Sequence, residues 1–109
     1  MKRIKIVSVS DLEKAIESSY IQPVVLFKHS TRCSISDMAL YRVEGFSSES
    51  LNNYYYIDLL SYREISDLIS EKFNLEHQSP QAIMIKDGQL LHHESHSSIN
   101  PKLWTAYLD

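Results

Sequence analysis

Val24-Val25-Leu26-Phe27 is the stretch that most restricts how this chain folds. Four consecutive apolar residues, two of them β-branched, suit a strand buried on both faces, and such a strand needs covering layers on each side. A polar turn, Lys28-His29-Ser30-Thr31-Arg32, leads to Cys33, the single cysteine of the chain. From Ser34 onward, Ile35, Met38, Ala39 and Val43 recur at helical spacing. Cys33 therefore stands where a buried strand hands over to a helix. Unpaired N–H groups and the dipole at a helix N-terminus stabilise a thiolate there. Lys28, His29 and Arg32 lie close by in sequence and add positive charge to this reading. A lone cysteine is commonly a small packed hydrophobe. Flanked by Arg32 and Ser34 at the mouth of a helix, Cys33 reads instead as the reactive atom.

The remaining segments fit around that strand. Ile4–Val9 has a short strand-like alternation. Ser10 with Glu13 forms a capping box ahead of a helix through Leu12, Ala15 and Ile16, ending near Ser18-Ser19. Pro23 opens the buried strand, and Gly45 terminates the helix that follows Cys33. Tyr54–Leu59 is aromatic and β-branched enough for a further strand. Ser61 with Glu64 makes a second capping box for a helix through Ile65, Leu68, Ile69 and Phe73. Ala82–Ile85 and Gln89–His93 are strands joined by the hairpin signal Asp87-Gly88. Asn100 caps a last helix with Pro101 at its first position, continuing through Leu103, Trp104, Tyr107 and Leu108. The order β-α-β-α-β-α-β-β-α predicts an α/β fold. Its central sheet is mainly parallel with an antiparallel hairpin edge, hence mixed, and is flanked by helices. Sheets of this kind carry their chemistry at the carboxyl ends of strands, where Cys33 falls.

At 109 residues the chain reads as one domain, residues 1–109. A formal charge of −3 gives no electrostatic reason to expect nucleic acid. One cysteine forms no internal disulfide, so the fold does not depend on an oxidising compartment. Met1–Val7 lacks the longer apolar core and cleavage site of a signal peptide, and no run approaches a membrane span. The expectation is a cytoplasmic protein with no membrane partner. His92, His93 and His96 lack the ligand spacing of a structural zinc site, so no metal is expected. Tyr54-Tyr55-Tyr56 reads as covered strand rather than a base-stacking surface, since no basic patch accompanies it.

A cysteine after the second strand and a proline before the hairpin are arranged as in thioredoxin-fold proteins. More closely, the chain resembles the YtxJ-type monothiol bacilliredoxins of bacteria that use bacillithiol. The matching residues are Phe27-Lys28-His29-Ser30-Thr31 leading into Cys33, and Ile35-Ser36. Arg63, Ile65-Ser66, Glu71-Lys72-Phe73, His77, Ser79-Pro80-Gln81, Ser95-His96 and Ile99 follow at agreeing spacings. The active motif of the wider fold is Cys-x-x-Cys; here Ser36 occupies the place of the resolving cysteine. The family commonly has proline directly after the cysteine, where this chain has Ser34.

The resemblance implies a thiol–disulfide oxidoreductase with Cys33 as nucleophile. Ser36 cannot attack a mixed disulfide, so an outside thiol must resolve it. Bacillithiol is then the implied thiol co-substrate, with no bound cofactor, and S-bacillithiolated proteins are the implied partners. Pro80 is expected to be cis and to face the cysteine, with Ser79 and Thr31 helping to dock the disulfide. Arg32 is the candidate for stabilising the thiolate, and His29 and His77 for tuning or protonating sulfur near neutral pH. Two alternatives stay open: a thioredoxin-fold adaptor domain without redox activity, and a monothiol glutaredoxin-like iron–sulfur carrier.

Overall fold

The computed structural model describes residues 1–108, so the final residue of the expected domain lies outside the described residues. The elements are β1 (Lys2–Lys5), α1 (Val9–Ser18), β2 (Val24–His29), α2 (Ser34–Glu44), β3 (Asn53–Asp58), α3 (Arg63–Lys72), β4 (Gln81–Lys86) and β5 (Gln89–Ser95). Two 3₁₀ segments follow, His96–Ser98 and Pro101–Tyr107. The strands form one sheet in the order β1-β3-β2-β4-β5.

All six residues of β2 are buried, as its apolar run requires. Alternate side chains feed two cores. Val25 and Phe27 pack with Ala39 and Val43 of α2 and with Trp104 and Leu108. Val24 and Leu26 pack with Leu12 and Ala15 of α1 and with Ile65 and Ile69 of α3. Each fully buried aliphatic side chain contributes about 1.5–3 kcal/mol, so β2 is held strongly from both sides.

β1 and β2 each pair with β3 in parallel, but β2–β4 and β4–β5 are antiparallel. The antiparallel part therefore extends past the hairpin edge to the sheet's centre. The loop from Phe73 to Pro80 carries the chain back to the end of the sheet where β2 finishes, which sets Gln81 opposite Lys28. The Asp87-Gly88 hairpin forms as expected, with both residues at positive φ (53° and 73°).

Four local expectations are corrected. The first strand is Lys2–Lys5 rather than Ile4–Val9, because helix α1 begins earlier than the sequence pattern suggested. Its cap is Ser8, whose hydroxyl accepts the Asp11 N–H at 3.1 Å, while Asp11 accepts the Val7 N–H at 3.0 Å. Ser61 caps nothing: its hydroxyl donates to Asp58 at 3.1 Å, and Tyr62 occupies the cap position of α3. Helix α2 buries Ser36, Ala39 and Val43, leaving Ile35 and Met38 exposed. The C-terminal helix is 3₁₀. Its three-residue repeat puts Pro101 and Trp104 inside with Tyr107 half-buried, and sends Leu103 into solvent.

Candidate active site

Cys33 is a free, half-buried cysteine at the N-cap of α2, in extended conformation (φ −125°, ψ 120°). Its N–H donates to the Ser30 carbonyl at 3.3 Å and its carbonyl accepts from Asp37 at 3.1 Å, which closes the turn. The first-turn N–H groups of Ser34, Ile35 and Ser36 have no acceptor among the described residues. A side chain at an N-cap normally supplies one. Here the cap side chain is a thiol, and it makes no capping hydrogen bond to those N–H groups.

Ser36 is fully buried one turn into the helix. Its Oγ accepts the Ser30 N–H at 3.0 Å and lies 2.6 Å from Nδ1 of His29. Since its oxygen already accepts from Ser30, the hydroxyl proton goes to His29. The other ring nitrogen, Nε2, lies 3.6 Å from an Asp37 carboxylate oxygen. Burial pushes the His29 pKa down, with Asp37 opposing, so the ring is neutral with its proton on Nε2. Both of its nitrogens thus face α2 residues other than Cys33. Thr31 and Arg32 are exposed, and the Arg32 guanidinium makes no hydrogen bond or ion pair among the described residues.

The Ser79-Pro80 peptide is cis, as the family resemblance implied. Because Gln81 pairs with Lys28, Pro80 stands at the strand end beside His29, where β2 gives way to the Cys33 turn. The Pro80 carbonyl accepts from the His96 N–H at 3.0 Å, which brings His96 to the same border of the sheet. Ser79 is half-buried, and its backbone N–H and carbonyl have no partner among the described residues. A free backbone edge thus lies at the end of the sheet where β2 gives way to the cysteine turn.

Lys28 departs from its expected place. Successive strand residues face opposite ways, and Lys28 points to the α1–α3 side rather than toward α2. It is fully buried, and its ammonium donates to the Ser66 carbonyl and the Ser70 hydroxyl, both at 2.8 Å, and to Nδ1 of His77 at 3.3 Å. It therefore supplies no local charge to Cys33. His77 sits within this cluster, its pKa pushed down by burial and then by the Lys28 and Arg63 charges, with Asp67 opposing.

A family model described as monothiol bacilliredoxin BrxC matches residues 4–103. The chain belongs to the monothiol bacilliredoxin family. Among solved structures it is similar to a thioredoxin-fold protein described as a candidate oxidoreductase. That match has 32% identity and a TM-score of 0.86, covering 95% of this chain and 91% of the other. Thioredoxin of Fasciola hepatica shares the fold at 20% identity and TM-score 0.73, covering 97% of this chain and 95% of that one. Schistosoma mansoni thioredoxin does so at 22% identity and TM-score 0.72, over 96% and 92%. Fold and family together are those of a thiol oxidoreductase.

The remaining histidines are His92, His93 and His96. His92 stacks on Tyr107, with ring centroids 4.5 Å apart, and its Nε2 lies 3.3 Å from Glu94. Among the described residues no group of three or more His, Cys, Asp or Glu side chains is arranged to hold a metal ion. His96, weighed in the sequence only as a metal ligand and a family match, is exposed at φ 55° beside Pro80. The clue available was its place directly after β5, since strand ends on this side of the sheet converge at the cysteine.

Proposed function

We propose that this protein is a monothiol thiol–disulfide oxidoreductase that removes bacillithiol from protein mixed disulfides. The observation that carries this reading is the contrast between Cys33 and Ser36. One sulfur is half-exposed at a helix N-cap, and the residue that would resolve it is a buried hydroxyl occupied by Ser30 and His29. The Cys33 thiolate attacks the bacillithiol sulfur of the mixed disulfide. The old S–S bond breaks, the client leaves as a thiolate that takes a proton from water, and a Cys33–bacillithiol disulfide forms. A second bacillithiol thiolate then attacks the bacillithiol sulfur of this adduct, giving bacillithiol disulfide and the free Cys33 thiolate. No electrons are lost in either step. Bacillithiol is thus a co-substrate and no cofactor is bound.

The free backbone of Ser79 before Pro80 docks the disulfide-bearing segment, with Thr31 across from it on the cysteine turn. Arg32, exposed and unengaged, is available to the anionic groups of the small thiol as well as to the thiolate. On the same reading the partners are S-bacillithiolated proteins in the cytoplasm of bacillithiol-using bacteria. No helix among the described residues is long and apolar enough to cross a membrane.

The test mixes reduced protein with a bacillithiolated client and weighs both by mass spectrometry after one turnover. The expected result is a discharged client and a bacillithiol adduct on Cys33, with Cys33→Ser inactive. A discharged client with unmodified Cys33, or activity in Cys33→Ser, overturns the mechanism. An untouched client beside an alkylatable Cys33 supports an adaptor domain instead.

A further inference from the structure

Lys28 and Gln81 are direct partners across the β2–β4 pair, and both are buried on the α1–α3 side. Each reaches to the loop that ends in Ser79-Pro80. Gln81 Nε2 donates to the Glu76 carbonyl at 3.2 Å, and Lys28 Nζ donates to Nδ1 of the next residue, His77, at 3.3 Å. Lys28 also ties that loop to α3 through the Ser66 carbonyl and the Ser70 hydroxyl. A buried ammonium is expensive, and an apolar residue of similar length would fill the space without that cost. Three acceptors, two on α3 and one on this loop, take all three of its N–H groups, so the charge is used fully in holding the loop to the helix.

We infer that Lys28 is a positioning residue for exchange at Cys33: through His77, and alongside Gln81, it fixes the Ser79-Pro80 edge against which a disulfide-bearing chain docks. The inference rests on Cys33 being the exchanging thiol but not on bacillithiol being its natural substrate. Lys28 lies on β2, five residues before Cys33 in the chain. One strand thus sets both the nucleophile's turn and the opposing edge.

Burial lowers the Lys28 pKa to about 8, with Asp67 of α3 opposing and Arg63 of α3 reinforcing the shift. Of the loop's two titratable groups, His77 is held neutral beside it and Glu76 is exposed, meeting Gln81 only through its backbone carbonyl; Gln81 of β4 carries no charge. A neutral amine has two N–H groups for three acceptors. One contact is therefore lost as pH rises through about 8, which loosens the edge.

The experiment uses a probe that any cysteine thiolate attacks: a short extended peptide whose cysteine carries a 2-thiopyridyl mixed disulfide. Release of the chromophore is compared with alkylation of Cys33 by iodoacetamide, which needs no docking edge. Lys28→Met is expected to slow the peptide reaction about tenfold, the scale on which a small misplacement costs rate, with alkylation within about twofold. His77→Gln should show the same loss, and Lys28→Met/His77→Gln no more than either alone. In the wild type the peptide-to-iodoacetamide ratio should fall above about pH 8, and in Lys28→Met it should stay flat. A folded Lys28→Met with the wild-type ratio and pH profile overturns the inference, as does equal slowing of both reactions. Should Lys28→Met fail to fold, His77→Gln decides by the same ratio. Failure to accept bacillithiol would leave this ratio unchanged, so the two readings fail separately.

Discussion

Oγ of Ser36 lies 2.6 Å from Nδ1 of His29, and the two side chains are both buried. The hydroxyl that stands in for a second sulfur therefore clasps the end of β2 to the first turn of α2. Replacing it by Ala strands two buried polar groups, the Ser30 N–H and His29 Nδ1. Leaving a buried group unpaired costs about 1–3 kcal/mol. Ser36→Ala is expected to lower unfolding free energy by about that amount in urea titrations, while single-turnover transfer at Cys33 is largely preserved. Loss of transfer with unchanged stability would give Ser36 a chemical role instead.

His29 also sets an acid limit. Its pKa in the folded protein lies below the ordinary value of about 6.5, chiefly because of burial, so the unfolded chain binds the proton more readily. The stability it contributes is full above about pH 6.5 and is lost as pH falls toward its folded pKa. His77 shifts the same way and adds to the slope. Urea midpoints should fall between pH 7.5 and 5.5, and the slope should be shallower in His29→Asn. Parallel slopes in both proteins would remove His29 from the account.

Ser34 stands directly after the cysteine, where the family resemblance leads one to expect proline. Cys33 already has the extended backbone that a residue before proline adopts, and the Ser34 N–H has no acceptor to lose. Proline at the first helical position then acts by restricting the unfolded chain. Ser34→Pro should stabilise the protein by about 0.4–1 kcal/mol, read as a higher urea midpoint with unchanged slope. A lower midpoint would mean that this turn does not hold the conformation described.

Gly88 has φ 73°, and a Cβ there would lie 2.2 Å from the Tyr20 hydroxyl oxygen. Tyr20 is exposed, so its side chain has room to turn away and the backbone angle is the larger cost. Gly88→Ala is expected to destabilise by about 1 kcal/mol, whether or not Tyr20 is also truncated. Recovery of full stability in Gly88→Ala/Tyr20→Ala would put the cost on the clash.

Much of this was readable because it is local. The apolar run Val24–Phe27, the Asp87-Gly88 turn and the helix start at Cys33 depend on neighbours a few residues apart, and each formed. Ser61 departs from expectation because a capping hydroxyl accepts a helix N–H, whereas here it is turned to donate to Asp58 at the end of β3. The C-terminal segment departs from expectation because residues 101, 104 and 107 suit a three-residue repeat, while Trp104 and Tyr107 also fit a 3.6-residue one and the exposed Leu103 tells the two apart. Lys28 was opaque for another reason. A lysine after an apolar run looks like a strand reaching solvent, yet its partners Ser66 and His77 lie 38 and 49 residues away. Distant acceptors leave no periodic mark in a sequence.

One of the two borders of the sheet is β1, whose residues Lys2, Arg3, Ile4 and Lys5 are all exposed. An unpaired strand at a sheet border is a template on which further copies of a chain can add. Three cations in four residues make this border a poor template for a further strand, since each added chain must bring its backbone into the same positive field. Crowding at high concentration should therefore not string copies into ribbons along β1.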